Sequence, residues 1–211
     1  TPGVLVDCAQ FIPYRSGMEA APTLQTPAGV PTLAAACQGA AVLTRLDGTR
    51  RLIAGAQTAL YELTGGLWDN VTRVAAYTGG SDSRWSFTQF GNTTIAANRA
   101  DVLQFSNSGD FADIGSGAPR AEIVFSVGAF VMALNVNDGA EKPDGWHCCA
   151  AFNANDWNES TTTQSASGRL VSTPGALTAG LRLGEYAVAY KNSSIYLGQY
   201  VGAPVIWDWL L

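Results

Sequence analysis

LIAGAQTALYEL at 52–63, TIAANRADVLQF at 94–105 and AVAYKNSSIYLG at 187–198 align without a gap. Ile53, Ile95 and Val188 fall in one column, Ala54, Ala96 and Ala189 in the next, and Leu60, Val102 and Ile195 in a later one. Each stretch reads as a strand, a short polar turn and a second strand, because β-prone runs are broken by residues that favour turns. The gap between the second and third copies leaves room for a fourth. Phe130 to Leu134 and Trp146 to Phe152 fill it, separated by a longer loop from Asn135 to Gly145.

Working outward, an aromatic residue recurs near the end of each unit, at Trp68, Phe111, Trp157 and Trp207. A further strand candidate precedes each hairpin, at Ala41 to Leu46, Trp85 to Phe90, Ala121 to Phe125 and Leu177 to Leu183. Four strands per unit of about 45 residues is the signature of propeller blades. A twisted four-stranded sheet with two apolar faces must stack on a neighbour, and small residues in the second strand suit close stacking. The expected fold is all-β: antiparallel four-stranded β-propeller blades at approximately 39–80, 81–119, 120–168 and 169–211. Four blades ending on Trp209-Leu210-Leu211, without a polar cap, read as part of a larger propeller. Residues 1–38 read as an extended arm or linker, alanine-rich and punctuated by Pro2, Pro13, Pro22, Pro27 and Pro31.

Composition narrows the function. Of 211 residues 47% are hydrophobic and only 14% charged, with a net charge of −5. So little charge suggests that part of the surface is covered by partners. The acidic balance argues against gripping nucleic acid through its phosphates. No run is long and apolar enough for a membrane span, and the first residues carry no basic signal-peptide region. Without an initiator methionine, the chain reads as a piece of something longer. Cys8, Cys37, Cys148 and Cys149 are too few for a disulfide scaffold and read as reduced thiols.

No catalytic constellation emerges. His147 is the single histidine, and its neighbours Cys148 and Cys149 diverge on a strand. Asp82, Asp101, Asp110, Asp113, Asp138, Asp144 and Asp156 are conceivable glycosidase carboxylates, but all lie in or near turns, where aspartate is expected anyway. Asn135 to Gly139 resembles part of a calcium loop but lacks the closing glutamate. Gly115-Ser116-Gly117 has no strand–loop–helix context for phosphate. Arg45, Arg50 and Arg51 read as a solvated hairpin edge. No cofactor and no metal is expected.

Four runs carry a family resemblance: RLIAGAQTALYELTGGLWDNVTR from Arg51, RWSFTQFGNTTIAANRADVLQF from Arg84, AEIVFSVGAFVMALNVND from Ala121 and LGEYAVAYKNSSIYLGQYVGAPVIW from Leu183. With the leading DCAQFIPYRSGMEAAP from Asp7, they resemble the propeller-bearing tail proteins of short-tailed bacteriophages, of the nozzle or tail tubular type. These runs mark hairpins and blades, so they speak to fold and family more than to mechanism. The resemblance implies a non-enzymatic virion tail protein assembled in the bacterial host cytoplasm. It implies a homo-oligomer, a hexameric ring, that conducts the genome without sequence-specific DNA binding and supports adaptor proteins and fibres. Within it, turn aspartates Asp110, Asp113, Asp138 and Asp144 are expected to face the lumen and repel phosphates. The alternative is a carbohydrate-binding or glycan-processing propeller, with Trp146, Trp157 or Tyr77 as sugar platforms.

Overall fold

The computed structural model describes residues 11–15, 17–20, 28–115 and 117–211, so Cys8 lies outside the described residues. The chain divides into two units, Thr1–Thr32 and Leu33–Leu211. In the first, β1 (Phe11–Tyr14) pairs antiparallel with β2 (Gly17–Ala20), so the segment expected to be an extended arm contains a hairpin.

The second unit holds four antiparallel sheets, each of four strands in chain order. They are β3 (Gly39–Thr44), β4 (Arg50–Gly55), β5 (Leu60–Thr64) and β6 (Leu67–Asn70); then β7 (Ser86–Phe90), β8 (Thr93–Ala97), β9 (Gln104–Ser106) and β10 (Ala112–Asp113). The third sheet is β11 (Arg120–Val127), β12 (Phe130–Asn137), β13 (Glu141–Cys148) and β14 (Ala166–Arg169). The fourth is β15 (Leu177–Leu183), β16 (Tyr186–Lys191), β17 (Ile195–Gly202) and β18 (Ile206–Leu210). No helix occurs among the described residues. These are propeller blades.

The blades stack in sequence order through their first strands: β3 lies beside β7, β7 beside β11, and β11 beside β15. First strands therefore form the inner edge of the stack and fourth strands the outer edge. Residues paired across strands point to the same side, so each blade can be read in rows. One row faces the preceding blade and is small in the second strand: Ala40–Ala54–Tyr61, Phe87–Ala96–Gln104, Val124–Ala133–His147 and Gly180–Ala189–Tyr196. The alternate row faces the following blade and contains Ile53, Ile95 or Val188. The column read from the sequence is thus one structural position, the second-strand residue of the outgoing face.

Close approach explains the small residues. A side chain on Gly180 would run into Leu134 and Phe125 of the third blade, and one on Gly55 into the Trp85 ring. Trp85 is held there by its indole N–H, which donates to the Ala56 carbonyl at 2.8 Å.

The first interface is polar at its centre. Arg51, almost fully buried, pairs with Glu62 of its own blade at 2.7 Å. It also donates to Thr94 Oγ1 at 3.2 Å and Ser106 Oγ at 3.1 Å of the second blade and lies over the Phe111 ring. The expectation of a solvated edge fails for this residue: its outgoing position puts it between two sheets. A buried guanidinium is tolerated because its donors are met.

Two other expectations change. The loop expected from Asn135 to Gly145 is mostly strand, since β12 continues to Asn137 and β13 begins at Glu141. The long excursion comes after β13, and it carries Trp157. Trp68 and Trp207 lie in fourth strands and Phe111 just before one, but Trp157 precedes β14 by nine positions and packs on His147, rings 5.4 Å apart. The aromatic column is therefore not one structural position.

Candidate assembly face

The outgoing face of the fourth blade is built by the same rule as the others. Leu181, Val188, Leu197 and Leu210 are successive pairing partners across all four strands. Gly180 points at the third blade, so this row points away from it. Ala179, Tyr190 and Ile195 form a second row on the same side, and Leu183 pairs with Tyr186 in a third. The corresponding rows of the third blade are Phe125–Met132–Cys148–Ala166 and Ile123–Leu134–Trp146–Gly168. Met132, Leu134 and Cys148 there have no exposed surface, whereas Leu181 is 44% exposed, Leu183 60%, Ile195 56% and Leu210 55%.

This is an apolar sheet face with no covering blade among the described residues. Full burial of a Leu or Ile side chain contributes about 1.5–3 kcal/mol, so covering these half-exposed residues favours association strongly. A matching surface exists on the same chain. The first blade carries Ala40–Ala54–Tyr61–Asn70 on the side away from the second blade. That row repeats the small–small–tyrosine order of Gly180–Ala189–Tyr196, which receives the third blade.

The expected lumenal aspartates do not share a face. Asp110 is in the exposed turn between β9 and β10. Asp113 is on β10, at the outer edge of its blade, paired with Arg73, which also holds Asp101 at 2.7 Å. Asp138 is paired with Lys142 at 2.6 Å, and buried Asp144 with Arg169 at 2.7 Å. Burial raises each of these three carboxyls, but hydrogen bonds and the neighbouring cations outweigh it and hold all three below the ordinary aspartate value. Asp138 and Asp144 each face one cation, while Asp113 shares Arg73 with Asp101. A turn aspartate is visible in sequence; the base that neutralises it comes from up to 40 residues away, as Arg73 does for Asp113, and is not.

The residues weighed for chemistry are structural. His147 donates through Nε2 to the Trp157 carbonyl at 2.9 Å, and burial lowers its pKa against that bond. Burial pushes the Cys148 and Cys149 thiols up to about 12, while Cys37 is exposed. Asp138 of the calcium-like segment is engaged by Lys142. Trp146, Trp157 and Tyr77 are all buried, so none offers a ring face to a sugar.

The sequence reading missed two cations that join elements, half-buried Arg99 and buried Lys191. Arg99 bonds Asn135 and Glu141 of the third blade, and Lys191 donates to the carbonyls of Leu170 and of Thr173, the latter at 2.7 Å. Arg99 follows β8 and Lys191 ends β16, in different columns of the aligned units, so the repeat pattern marked neither.

No protein-family model matches the chain, and no curated protein matches it. Among solved structures, YCF48 bound to D1 peptide is similar at a TM-score of 0.45 and 16% identity, over 88% of this chain. The match spans 60% of that chain's length. The fold assigned here rests on the strand pairing itself.

Proposed function

We propose that the protein is a non-enzymatic structural component of a phage tail, of the nozzle type, whose blades form a platform in a ring of identical copies. The observation that supports this reading is the outgoing row Leu181–Val188–Leu197–Leu210, exposed at Leu181 and Leu210 around buried Val188 and equivalent to rows covered at the other blade junctions. The resemblance of the four blade runs to tail proteins supplies the setting, the virion. It also supplies the partners: adaptor proteins, fibres and a genome passing without sequence-specific contact.

Among the described residues, a surface that fits the open face is the first blade of a neighbouring copy, through its Ala40–Ala54–Tyr61 row. Such an interface is heterologous: different surfaces meet, and repeated rotation closes a ring or continues indefinitely. Sixfold closure is the expectation set by the resemblance. The platform reading does not depend on Asp110, Asp113, Asp138 and Asp144 lining a lumen, and three of them are held in ion pairs within the blades. Particle imaging of the concentrated protein tests the proposal. A closed ring with rotational symmetry is expected; a monodisperse monomer at every concentration contradicts it.

A further inference from the structure

A second feature of the fold, sharing Tyr186 with the edge of the open face, points to a ligand. Between the third and fourth blades, where the β11–β12 and β15–β16 hairpins turn, lies a cavity of about 380 Å³. Its floor is an aromatic cluster. Phe130, Tyr200 and Trp207 have ring centroids 5.3–6.0 Å apart, with Tyr200 partly open to solvent. Its rim carries Phe152, which is 84% exposed, and the polar side chains of Gln164, Arg182, Glu185 and Gln199.

The backbone around this cavity is held in conformations that folding alone does not reward. Among the described residues five non-glycine residues have positive φ, and three of them are here: Phe152 at 61°, Gln164 at 64° and Ile206, next to Trp207, at 69°. Such conformations are strained and gather at ligand clamps. Phe152 is the telling case. A ring that exposed gains little from burial, yet its backbone N–H is tied to the Ala129 carbonyl at 2.8 Å, which fixes it at the cavity mouth. Gln164 is likewise fixed, its Oε1 accepting from the Tyr200 hydroxyl at 2.8 Å. Its amide nitrogen is left for another acceptor.

We propose that this cavity binds a neutral pyranose unit of a saccharide. The exposed rings of Phe152 and Tyr200, backed by buried Phe130 and Trp207, match the apolar C–H faces of a sugar ring, while amide and guanidinium groups around them match its equatorial hydroxyls. Arg182 commits Nε to the Gly184 carbonyl at 2.6 Å, which orients the guanidinium and leaves its terminal nitrogens for hydroxyl acceptors. Arg182 and Glu185 offset each other in charge, so the cavity favours an uncharged ligand over a phosphate or a carboxylate. A peptide ligand is the competing class. It is less favoured because the polar lining consists mainly of side-chain amides and a charge pair around a ring-sized floor.

The test is a titration of the whole chain with lactose, cellobiose and N,N′-diacetylchitobiose, followed by tryptophan fluorescence and amide chemical shifts. At least one sugar is expected to bind saturably and shift signals of Tyr200, Gln199 and Phe152. Two variants separate a binding role from a packing role. Phe152→Gly relieves the positive φ and removes the ring, so binding should weaken about tenfold or more while the thermal midpoint rises. Gln199→Ala, on the surface, should weaken binding with no change in folding. No saturable binding by any of the three sugars overturns the proposal. So does binding that both variants leave unchanged, and so does saturable binding of an aromatic peptide in place of every sugar.

Discussion

The third and fourth blades share strand order and the alternation of small incoming and large outgoing rows, yet one outgoing face is dry and the other wet. Phe125 and Leu134 of the third blade close over Gly180, and Met132 in the same face is fully buried. Leu181, Leu183 and Leu210 of the fourth stand in the equivalent direction with nothing over them among the described residues. What differs is the neighbour, not the character of the face. A blade in this chain is a half-interface: the second-strand column encodes a junction, and the junction exists only where a following sheet supplies glycine or alanine. The first junction shows how far the rule stretches, since its outgoing row is centred on the Arg51–Glu62 pair in place of a leucine.

The comparison breaks most visibly on truncation. Leu134→Ala should cost about 2–5 kcal/mol, because its cavity opens in a fully packed junction. Leu181→Ala, at the equivalent open face, should stay within about 0.5 kcal/mol in dilute protein. Equal losses in chemical denaturation of the two variants refute the contrast. Overpacking comes next. Gly180→Val drives a side chain into Leu134 and Phe125 and should cost about 1–3 kcal/mol. Ala179→Val, one residue away on the wet side, should be near neutral by the same measurement.

Smaller effects come from protons and thiols. His147, on the dry face toward the second blade, has its pKa lowered by burial from an ordinary value near 6.5. The unfolded ring protonates first as pH falls, so its contribution is full above that value and declines below it. Asp113, Asp138 and Asp144, held low, lose theirs only in more acidic solution, as pH falls through their folded values. His147→Gln should therefore flatten the upper part of the acid limb of a stability–pH curve and leave the lower part intact. Last, Cys148 lies in the dry row of the third blade with its thiol pushed up to about 12, whereas Cys37 is exposed. Alkylation at about pH 8 should modify Cys37 and spare Cys148 until denaturant is added, as intact mass will show.

Much of the fold was legible because its strongest signal is local. The Ile53, Ile95 and Val188 column and the alanines beside it are fixed by blade-on-blade distance, and a gapless alignment exposes them. The third blade was harder, since its strands run to eight residues and its excursion follows β13, so Trp157 mimics a fourth-strand aromatic by spacing alone. The candidate faces and partners of charge were least legible. Arg51 pairs with Glu62 across one hairpin and with Thr94 and Ser106 across a junction, contacts that depend on which side of a strand each residue takes. The same holds for Asp113 with Arg73. A reading that counts turn aspartates sees their charge but not the guanidinium that removes it.

The central claim is that the fourth blade's open row is a junction awaiting the first blade of another copy. Sedimentation velocity of the wild-type chain against a Leu181→Asp, Leu210→Asp double variant tests it most directly. The wild type should show concentration-dependent association. The double variant should remain monomeric with an unchanged circular dichroism spectrum and melting midpoint. Association of the variant to the same extent as the wild type, or a wild type that never leaves the monomer, contradicts the account.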